Sequence, residues 1–269
     1  MRHRESTFKG DRDFNIYWQC WLPDGALKAV LLVAHGFAEH SGRYMNLVNH
    51  MVPHGYAVYA LDHRGHGRSE GARVEIDSYQ QYLDDLKTFF DLMQAQQPGQ
   101  KIFLIGHSMG AAISLGYVLD HQDELAGLIL SGGGIAKPGT PLPATPEAMP
   151  GANTRPPLDT AFLARDPRVA INYDADPLNY RGPIPIARDE AMAPMRLAVQ
   201  ERAGDIHLPI LIMAGTGVPD GERSTTLHQH VGSKDKSLRL YEGLKHEIFN
   251  EPEHPRVIAD LEAWVAAHL

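Results

Sequence analysis

The chain has 269 residues, with 25 Lys and Arg against 33 Asp and Glu, so its formal net charge at pH 7 is −8. This length is enough to bury a large core, and one α/β domain with an insertion fits it as well as two domains do. The acidic balance and the lack of a basic block argue against a nucleic acid partner. The single cysteine, Cys20, excludes an internal disulfide and is typical of a reducing compartment.

The N-terminal 14 residues are polar, and no stretch of the sequence approaches the ~20 apolar residues of a membrane span. We therefore expect no signal peptide and no transmembrane helix, and we expect a soluble, cytoplasmic protein.

The first half of the chain alternates predicted strands with predicted helices. Alternating apolar residues within 6–22 predict antiparallel edge strands. Continuous apolar runs predict buried parallel strands at 29–34, 57–61, 101–105 and 126–131. Helices are expected at 44–53, 78–96 and 109–120. This order is typical of a parallel sheet with helices on both faces.

After Ser131 this rhythm stops. Seven prolines between 138 and 157 predict an irregular, extended connection. Helical pieces then follow at 159–163, 167–173 and 186–202, strands resume at 209–214 and 237–241, and a last helix is expected at 255–269.

We therefore expect a core formed by residues 1–135 and 207–269, interrupted by a cap at 136–206 that lies over the carboxyl ends of the strands. Because this insertion is rich in Leu, Ile, Met and Pro, we expect apolar cap residues such as Leu158, Phe162 and Leu163 to line a tunnel for an acyl chain.

The stretch Gly106-His107-Ser108-Met109-Gly110 joins a predicted strand to a predicted helix. It matches the G-x-S-x-G nucleophile elbow, in which the serine has a strained backbone. Side chains at 106 and 110 would collide with the neighbouring strand and helix, which explains both glycines. Ser108 is the candidate nucleophile, and the alternative is a glycine-rich turn that happens to contain a serine.

Five stretches, spread over nearly the whole chain, are AHGFAEHSGRY (34–44), DHRGHGRSEG (62–71), GHSMGA (106–111), YDADPLNYRG (173–182) and YEGLKHEIFNEP (241–252). Together, and in this order, they resemble the monoacylglycerol lipase branch of the α/β-hydrolases. The resemblance implies an α/β-hydrolase fold, with a mostly parallel central sheet flanked by helices and a helical cap inserted after the sixth strand. It also implies a cofactor-free serine esterase that cleaves monoacylglycerols and related short to medium acyl esters.

A serine hydroxyl needs a positioned base before it can attack an ester. His246 follows the last predicted strand by a short loop, and in the family's motif this position holds the base. The rivals are histidines in glycine-rich loops near the strand ends, for which we expect structural, hydrogen-bonded roles: His35, His40, His63, His66 and His107.

The tetrahedral intermediate needs two backbone N–H donors for its oxyanion. The residue after the nucleophile, Met109, is expected to supply one of them. The other is expected from the loop after strand 29–34, and by the resemblance it is Phe37. The alternative for this loop is a plain strand-to-helix turn.

The acid of the triad is where the sequence departs from the family. The resembling enzymes have a Gly-x-x-Asp-x-x-Val-Pro arrangement, but here the loop reads Gly215-Thr216-Gly217-Val218-Pro219-Asp220-Gly221-Glu222. It is about two residues short and lacks the expected aspartate. Asp220 and Glu222 are the nearby carboxylates, and we select Asp220. The alternative for Asp220 is a solvated carboxylate at a helix N-terminus.

Several functions are compatible with these residues. The first is a serine ester hydrolase that acts on monoacylglycerols or short to medium acyl esters through an acyl-enzyme on Ser108. The second is a catalytically impaired hydrolase-fold protein that binds lipids or small hydrophobic ligands, which the altered acid loop would favour. An esterase for phenolic esters, thioesters or peptides is a third, because a fold does not determine a substrate.

The expected partner is a small acyl ester, with no metal, no cofactor, no nucleic acid and at most transient contact of the cap with a membrane surface. No heptad or repeat indicates an oligomeric state.

Overall fold

The computed structural model describes residues 1–142, 149 and 151–269. Within them, an eight-stranded sheet has the order β1-β2-β4-β3-β5-β6-β9-β10. Its strands are β1 (Arg2–Lys9), β2 (Asn15–Leu22), β3 (Ala29–Ala34), β4 (Tyr56–Leu61), β5 (Ile102–His107), β6 (Gly127–Ser131), β9 (Ile210–Gly215) and β10 (Lys236–Tyr241). A separate pair is formed by β7 (Thr154–Arg155) and β8 (Ile184–Pro185).

The sheet is mostly parallel. β1 and β2 pair antiparallel at one edge, β2 joins the rest by an antiparallel pairing with β4, and the other pairings are parallel. All six residues of β3, β4, β5 and β9 are buried. This explains their continuous apolar runs, because a parallel strand covered on both faces has no solvent-facing side.

Helices cover both faces of the sheet. They are α1 (Met45–Met51), α2 (Gln80–Gln96), α3 (Met109–His121), α4 (Pro167–Ala175), α5 (Ile186–Arg202), α6 (Asp220–His230) and α7 (His254–Ala267).

Successive residues of one strand contribute to two different cores. Val30 and Leu32 belong to a core with α2, α3 and α5, whereas Leu31 and Val33 belong to a core with α1 and α7. The alternation follows from the two-residue period of a strand. The predicted α/β-hydrolase architecture is thus confirmed.

The loops that follow β3, β5, β9 and β10 leave the same edge of the sheet, because these strands are parallel neighbours or near neighbours. They carry Phe37, Ser108, Asp220 and His246, in that order along the chain. Residues far apart in sequence are brought to one edge in this way.

Residues 132–209, called the insertion below, interrupt the sheet between β6 and β9 and contain α4, α5 and the β7–β8 pair. The predicted helices at 167–173 and 186–202 are confirmed, whereas 159–163 forms a short 3₁₀ turn over Thr160–Phe162. Part of the proline-rich connection, residues 143–148 and 150, lies outside the described residues.

Helix α6 is not among the helices assigned from the sequence, where a helix beginning near Asp220 appears only in the alternative for that residue. Its residues, DGERSTTLHQH, include one buried apolar side chain, Leu227. A helix with so little apolar surface lacks the 3.6-residue pattern by which a helix is recognised. Its first residue is Asp220. Among the described residues, no helix combines the length and apolar character needed to cross a bilayer.

Candidate active site

Ser108 lies at the sharp turn between β5 and α3. Its φ is 53° and its ψ is −111°, a strained conformation for a residue with a side chain. A Cβ on Gly106 would be 2.6 Å from the carbonyl oxygen of Gly110, and one on Gly110 would overlap that of Ala34. The two glycines are therefore needed for the close contact of α3 with the sheet, as the sequence predicts.

His246 and Asp220 are in direct contact. Nδ1 of His246 lies 2.6 Å from Oδ2 of Asp220, and the two side chains are 10% and 15% exposed. Because a carboxylate accepts hydrogen bonds, Nδ1 carries the proton and Nε2 keeps a free lone pair. Asp220 is therefore not a solvated surface carboxylate, whereas Glu222 is exposed.

Neighbouring segments hold His246 from both sides. Its ring lies 4.8 Å, centroid to centroid, from Phe162 of the insertion and 4.8 Å from His107. The backbone N–H of the next residue, Glu247, donates to the carbonyl oxygen of Leu163 at 2.7 Å. The imidazole is thus oriented by packing as well as by its hydrogen bond to Asp220.

Ser108 and His246 line one cavity, which has a volume of about 350 Å³. Among the described residues, no hydrogen bond of 3.5 Å or less joins the two side chains. In free enzymes such contacts are often long and shorten when the substrate binds.

The two predicted oxyanion donors also line this cavity. Met109 is the first residue of α3, so its N–H has no partner within the helix. The N–H of Phe37 donates to no described residue, whereas the N–H of Gly36, next to it, donates to Glu39 at 2.6 Å. Two residues whose N–H groups have no partner in the described part of the chain therefore line the cavity together with Ser108.

A buried ion-pair network, which the sequence analysis missed, supports the loop of Phe37. Glu39 accepts from the N–H of Gly36, from the hydroxyl of Tyr44 at 2.8 Å and from Arg43 at 2.6 Å. Arg43 also donates two hydrogen bonds to Glu247, at 2.5 and 2.8 Å. Burial alone would raise the pKa of Glu39, but the charge of Arg43, together with smaller contributions from His107, His35 and the hydroxyl of Tyr44, outweighs burial and lowers this pKa to about 2. The sequence did contain a signal for this network, because Glu39 and Arg43 are four residues apart beside a predicted site loop.

The insertion fixes the same loop through the carbonyl oxygen of Ala38. This oxygen accepts from the hydroxyl of Tyr173 at 2.6 Å and from the N–H of Tyr180 at 3.0 Å. Ala38 itself has a φ of 61°, which is uncommon for a residue with a Cβ. The stretch 173–180 thus connects the insertion to the residue after Phe37.

Four of the five rival histidines are hydrogen-bonded, as expected. Their ring partners are Gly36 O and His63 N for His35, Asp176 and Gly42 N for His40, Arg64 O for His66, and Ser131 for His107. His63 differs, because neither of its ring nitrogens has a partner among the described residues. Burial lowers the pKa of His35, His63, His66 and His107, so these rings are neutral at pH 7.

The composition of the cavity wall contradicts one expectation. Leu158, Phe162 and Leu163 are not among the described residues that line it. Phe162 and Leu163 instead contact the segment of His246. The apolar lining comes largely from other elements: Met109, Ala112, Leu115, Ile135, Leu142, Ala193 and Val199. Polar side chains of α5 and β7 complete the wall: Arg155, Arg188, Asp189, Arg196 and Gln200.

Elsewhere, three side chains of types that can bind a metal ion lie together on the surface between α1 and α7. Nitrogen atoms of His50 and His54 lie 2.8 Å from a carboxylate oxygen of Glu262, and the three ligand atoms lie within 4.8 Å of one another. None of the three lines the cavity. Their mutual hydrogen bonds account for the arrangement without a metal ion.

Comparisons with known proteins agree with this architecture. The family model described as serine aminopeptidase, S33, matches residues 25–253. The monoacylglycerol lipase of Mycolicibacterium smegmatis is 34% identical over 98% of both chains, and the human monoglyceride lipase is 30% identical over 93% of this chain and 86% of its own. The crystal structure of a monoacylglycerol lipase from Paleococcus ferrophilus superposes with a TM-score of 0.75 at 26% identity over the full length of both chains. The chain therefore belongs to the serine aminopeptidase S33 family and has the α/β-hydrolase fold.

Proposed function

We propose that this protein is a serine ester hydrolase that cleaves monoacylglycerols and related short to medium acyl esters. The observation that carries the proposal is the contact of His246 with Asp220 in a cavity that also contains Ser108. Two of the relatives named above are described as a monoacylglycerol lipase and a monoglyceride lipase, which supports the substrate class.

In the proposed mechanism, Nε2 of His246 takes the proton of Ser108 while Oγ attacks the ester carbonyl carbon. Asp220 keeps the imidazole in the productive tautomer and stabilises the imidazolium. Protonated His246 then donates its proton to the leaving alcohol oxygen, which leaves an acyl-enzyme on Ser108. A water molecule activated by His246 hydrolyses the acyl-enzyme and restores the free serine.

The oxyanion that forms in both steps is assigned to the N–H groups of Met109 and Phe37. The N-terminal end of α3 adds its partial positive charge at the same place. Loss of one such donor typically lowers kcat by about 10²- to 10³-fold. The network of Glu39 and Arg43 and the hydrogen bonds to Ala38 serve to orient the N–H of Phe37 in this proposal.

We further propose that residues 136–206 act as a cap over the site. Cap residues supply one wall of the cavity, and the hydroxyl of Tyr173 donates to the carbonyl oxygen of Ala38, in the loop that carries Phe37. Two large apolar side chains of this segment are exposed, Ile171 at 62% and Leu197 at 46%. Such residues suit transient contact with a lipid surface that presents the substrate. A cytoplasmic location is proposed from the single cysteine, Cys20, which is buried and free.

Labelling with a serine-directed fluorophosphonate, followed by assays on 1-acylglycerols of increasing chain length, tests the proposal. The wild-type protein should be labelled once, whereas Ser108→Ala should be unlabelled and lose about 10³-fold or more of its activity. A folded wild-type protein that neither reacts with the probe nor hydrolyses 1-acylglycerols would support the ligand-binding alternative. The 2.6 Å contact between His246 and Asp220 weakens the main reason for that alternative, the altered acid loop.

A further inference from the structure

The wall of the cavity formed by α5 and its neighbours is unexpectedly cationic. Four arginines line the cavity, at positions 155, 188, 196 and 223, against two aspartates, at 189 and 220. The excess is two positive charges, in a chain whose net charge is −8. A purely hydrocarbon ligand would not explain this arrangement, because it would remove water from the guanidinium groups without replacing their hydrogen bonds, which costs free energy.

Both aspartates are already occupied. Asp189 accepts from Arg155 at 2.8 Å and from Arg188 at 2.7 Å, so one carboxylate serves two guanidinium groups. Asp220 is bound by His246. The buried carboxylate of Asp189 therefore orients both Arg155 and Arg188, and its single negative charge is already shared between them.

Arg196 has no such partner in the part of the chain that the structure describes. Among the described residues, no carboxylate oxygen lies within 4 Å of its guanidinium group, and the same is true of Arg223. Burial and repulsion from Arg188, only partly offset by the more distant charge of Asp189, lower the pKa of Arg196 to about 10, so the side chain is still charged at pH 7. Placing an unpaired cation against other cations is unfavourable unless an anion joins it.

Most of the remaining wall is apolar, and much of it comes from α3 and from the residues after β6. Ala112, Leu115 and Ile135 line the same cavity as Ser108 and the arginines, and Val199 of α5 joins them. A ligand that fits both surfaces has a hydrocarbon part and an anionic group. Arginine is the side chain best suited to bind carboxylate or phosphate, because its planar donors match two oxygen atoms at once.

We propose that Arg196, assisted by Arg223, binds an anionic group of the ester substrate, so that the enzyme hydrolyses negatively charged acyl esters in preference to neutral ones. The inference rests on the proposed function and specifies its substrate class. The anion is a carboxylate at the far end of the acyl chain or a phosphate on the alcohol, and the chemistry of recognition is the same for both.

Two pairs of matched substrates test the inference and separate the two sources. The first pair is 4-nitrophenyl octanoate and the 4-nitrophenyl monoester of octanedioic acid, which share chain length and leaving group. The second pair is 1-decanoylglycerol and 1-decanoylglycerol 3-phosphate. The wild-type enzyme should have the higher kcat/KM for the charged member of at least one pair, and the identity of that pair shows which part of the substrate carries the anion.

Arg196→Gln should lower kcat/KM for the preferred charged ester by about 10- to 100-fold, mainly through KM, because a hydrogen bond to a charged group is lost. The loss of kcat/KM should be clearly smaller for the neutral ester, and Arg196→Lys should retain part of the preference. Arg223→Gln should have a smaller effect in the same direction. The matched control is Arg202→Gln, since Arg202 lies on the same helix but pairs with Asp205 at 3.1 Å and does not line the cavity.

Equal kcat/KM for charged and neutral esters in both pairs would overturn the inference and leave the proposed function intact. An equal loss on both members in Arg196→Gln would also overturn it, because such a loss indicates a structural role. If Arg196→Gln does not fold, Arg223→Gln decides, because Arg223 is exposed and its replacement should leave the fold unchanged. Failure to hydrolyse any of the four esters, with no fluorophosphonate labelling, would refute the proposed function itself.

Discussion

Asp220 Oδ2 lies 2.6 Å from Nδ1 of His246, although the loop that carries Asp220 lacks the Gly-x-x-Asp arrangement of the resembling enzymes. The shorter loop leads directly into α6, and Asp220 is the first residue of that helix. In the proposed mechanism, the start of α6 thus presents the carboxylate that a longer loop presents in the resembling enzymes.

Replacing Asp220 by Asn tests this assignment of the acid. The amide cannot hold His246 in the productive tautomer, so kcat for ester hydrolysis should fall by as much as ~10⁴-fold while fluorophosphonate labelling becomes slow. Glu222→Gln, two residues away on the exposed side of the same helix turn, is the matched control and should change kcat little. Unchanged activity in Asp220→Asn would show that another group orients the imidazole.

Removing the hydroxyl of Tyr173 is a second test, directed at the loop that carries Phe37. Tyr173→Phe removes the hydrogen bond to the carbonyl oxygen of Ala38 and keeps the ring under Arg43, whose guanidinium carbon lies 4.7 Å from the ring centroid. We expect kcat to fall by about 10-fold with little change in KM, because a misplaced oxyanion donor weakens transition-state stabilisation.

Tyr180→Phe is the control for this change. The hydroxyl of Tyr180 donates to the carbonyl oxygen of Pro183, and its contact with Ala38 is made by the backbone N–H, which the substitution keeps. Equal losses of kcat in the two variants would refute a specific role for the Tyr173 hydroxyl.

The buried ion pairs of Arg43 should be important for stability. Arg43→Met leaves the carboxylates of Glu39 and Glu247, which are 3% and 4% exposed, without their cation. Removing one partner of a buried ion pair typically costs about 3–5 kcal/mol in the free energy of unfolding. Urea unfolding at pH 7 measures this loss.

Arg168→Met is the matched change at an exposed pair. The side chain of Arg168 is 82% exposed where it pairs with Asp166, so its loss should lower the free energy of unfolding far less than the loss of Arg43 does. Similar costs for Arg43→Met and Arg168→Met would contradict the importance assigned to the buried network.

Four buried neutral histidines predict a dependence of stability on pH. Burial holds the pKa of His35, His63, His66 and His107 below the ordinary value of 6.5. Below pH 6.5 the unfolded chain therefore binds more protons than the folded one, and the free energy of unfolding falls as the pH decreases. For each pH unit below 6.5, each of these histidines lowers the free energy of unfolding by up to about 1.4 kcal/mol, until the pH reaches the pKa of that histidine in the folded protein.

Urea unfolding at pH 7.5, 6.5 and 5.5 measures this slope. His63→Leu should reduce this slope by the contribution of one histidine. The substitution breaks no side-chain hydrogen bond, because the ring nitrogens of His63 have no partner among the described residues. A free energy of unfolding that stays constant from pH 7.5 to 5.5 would contradict the prediction.

The local pattern was sufficient to predict much of this protein. The buried strands could be recognised from continuous apolar runs, and the turn at Ser108 from its two glycines, because both depend on residues adjacent in sequence. The exact predicted span of α5, 186–202, follows from the same kind of local signal. The candidate residues Ser108, His246, Phe37 and Met109 all lie in short motifs of this type.

The tertiary structure decided what depends on distant contacts. Helix α6 is too polar to be recognised by periodicity, so the sequence offered Asp220 only as one of two nearby carboxylates; its contact with His246 depends on the parallel pairing of β9 with β10. The same holds for Arg43 and Glu247, which are 204 residues apart in sequence and share two hydrogen bonds. The apolar composition of the insertion predicted an apolar tunnel, but composition does not show which face of a helix is turned inward. In the folded protein α5 places Arg188 and Arg196 on the cavity wall, and the charge of that wall is therefore a property of the packing and not of the sequence pattern.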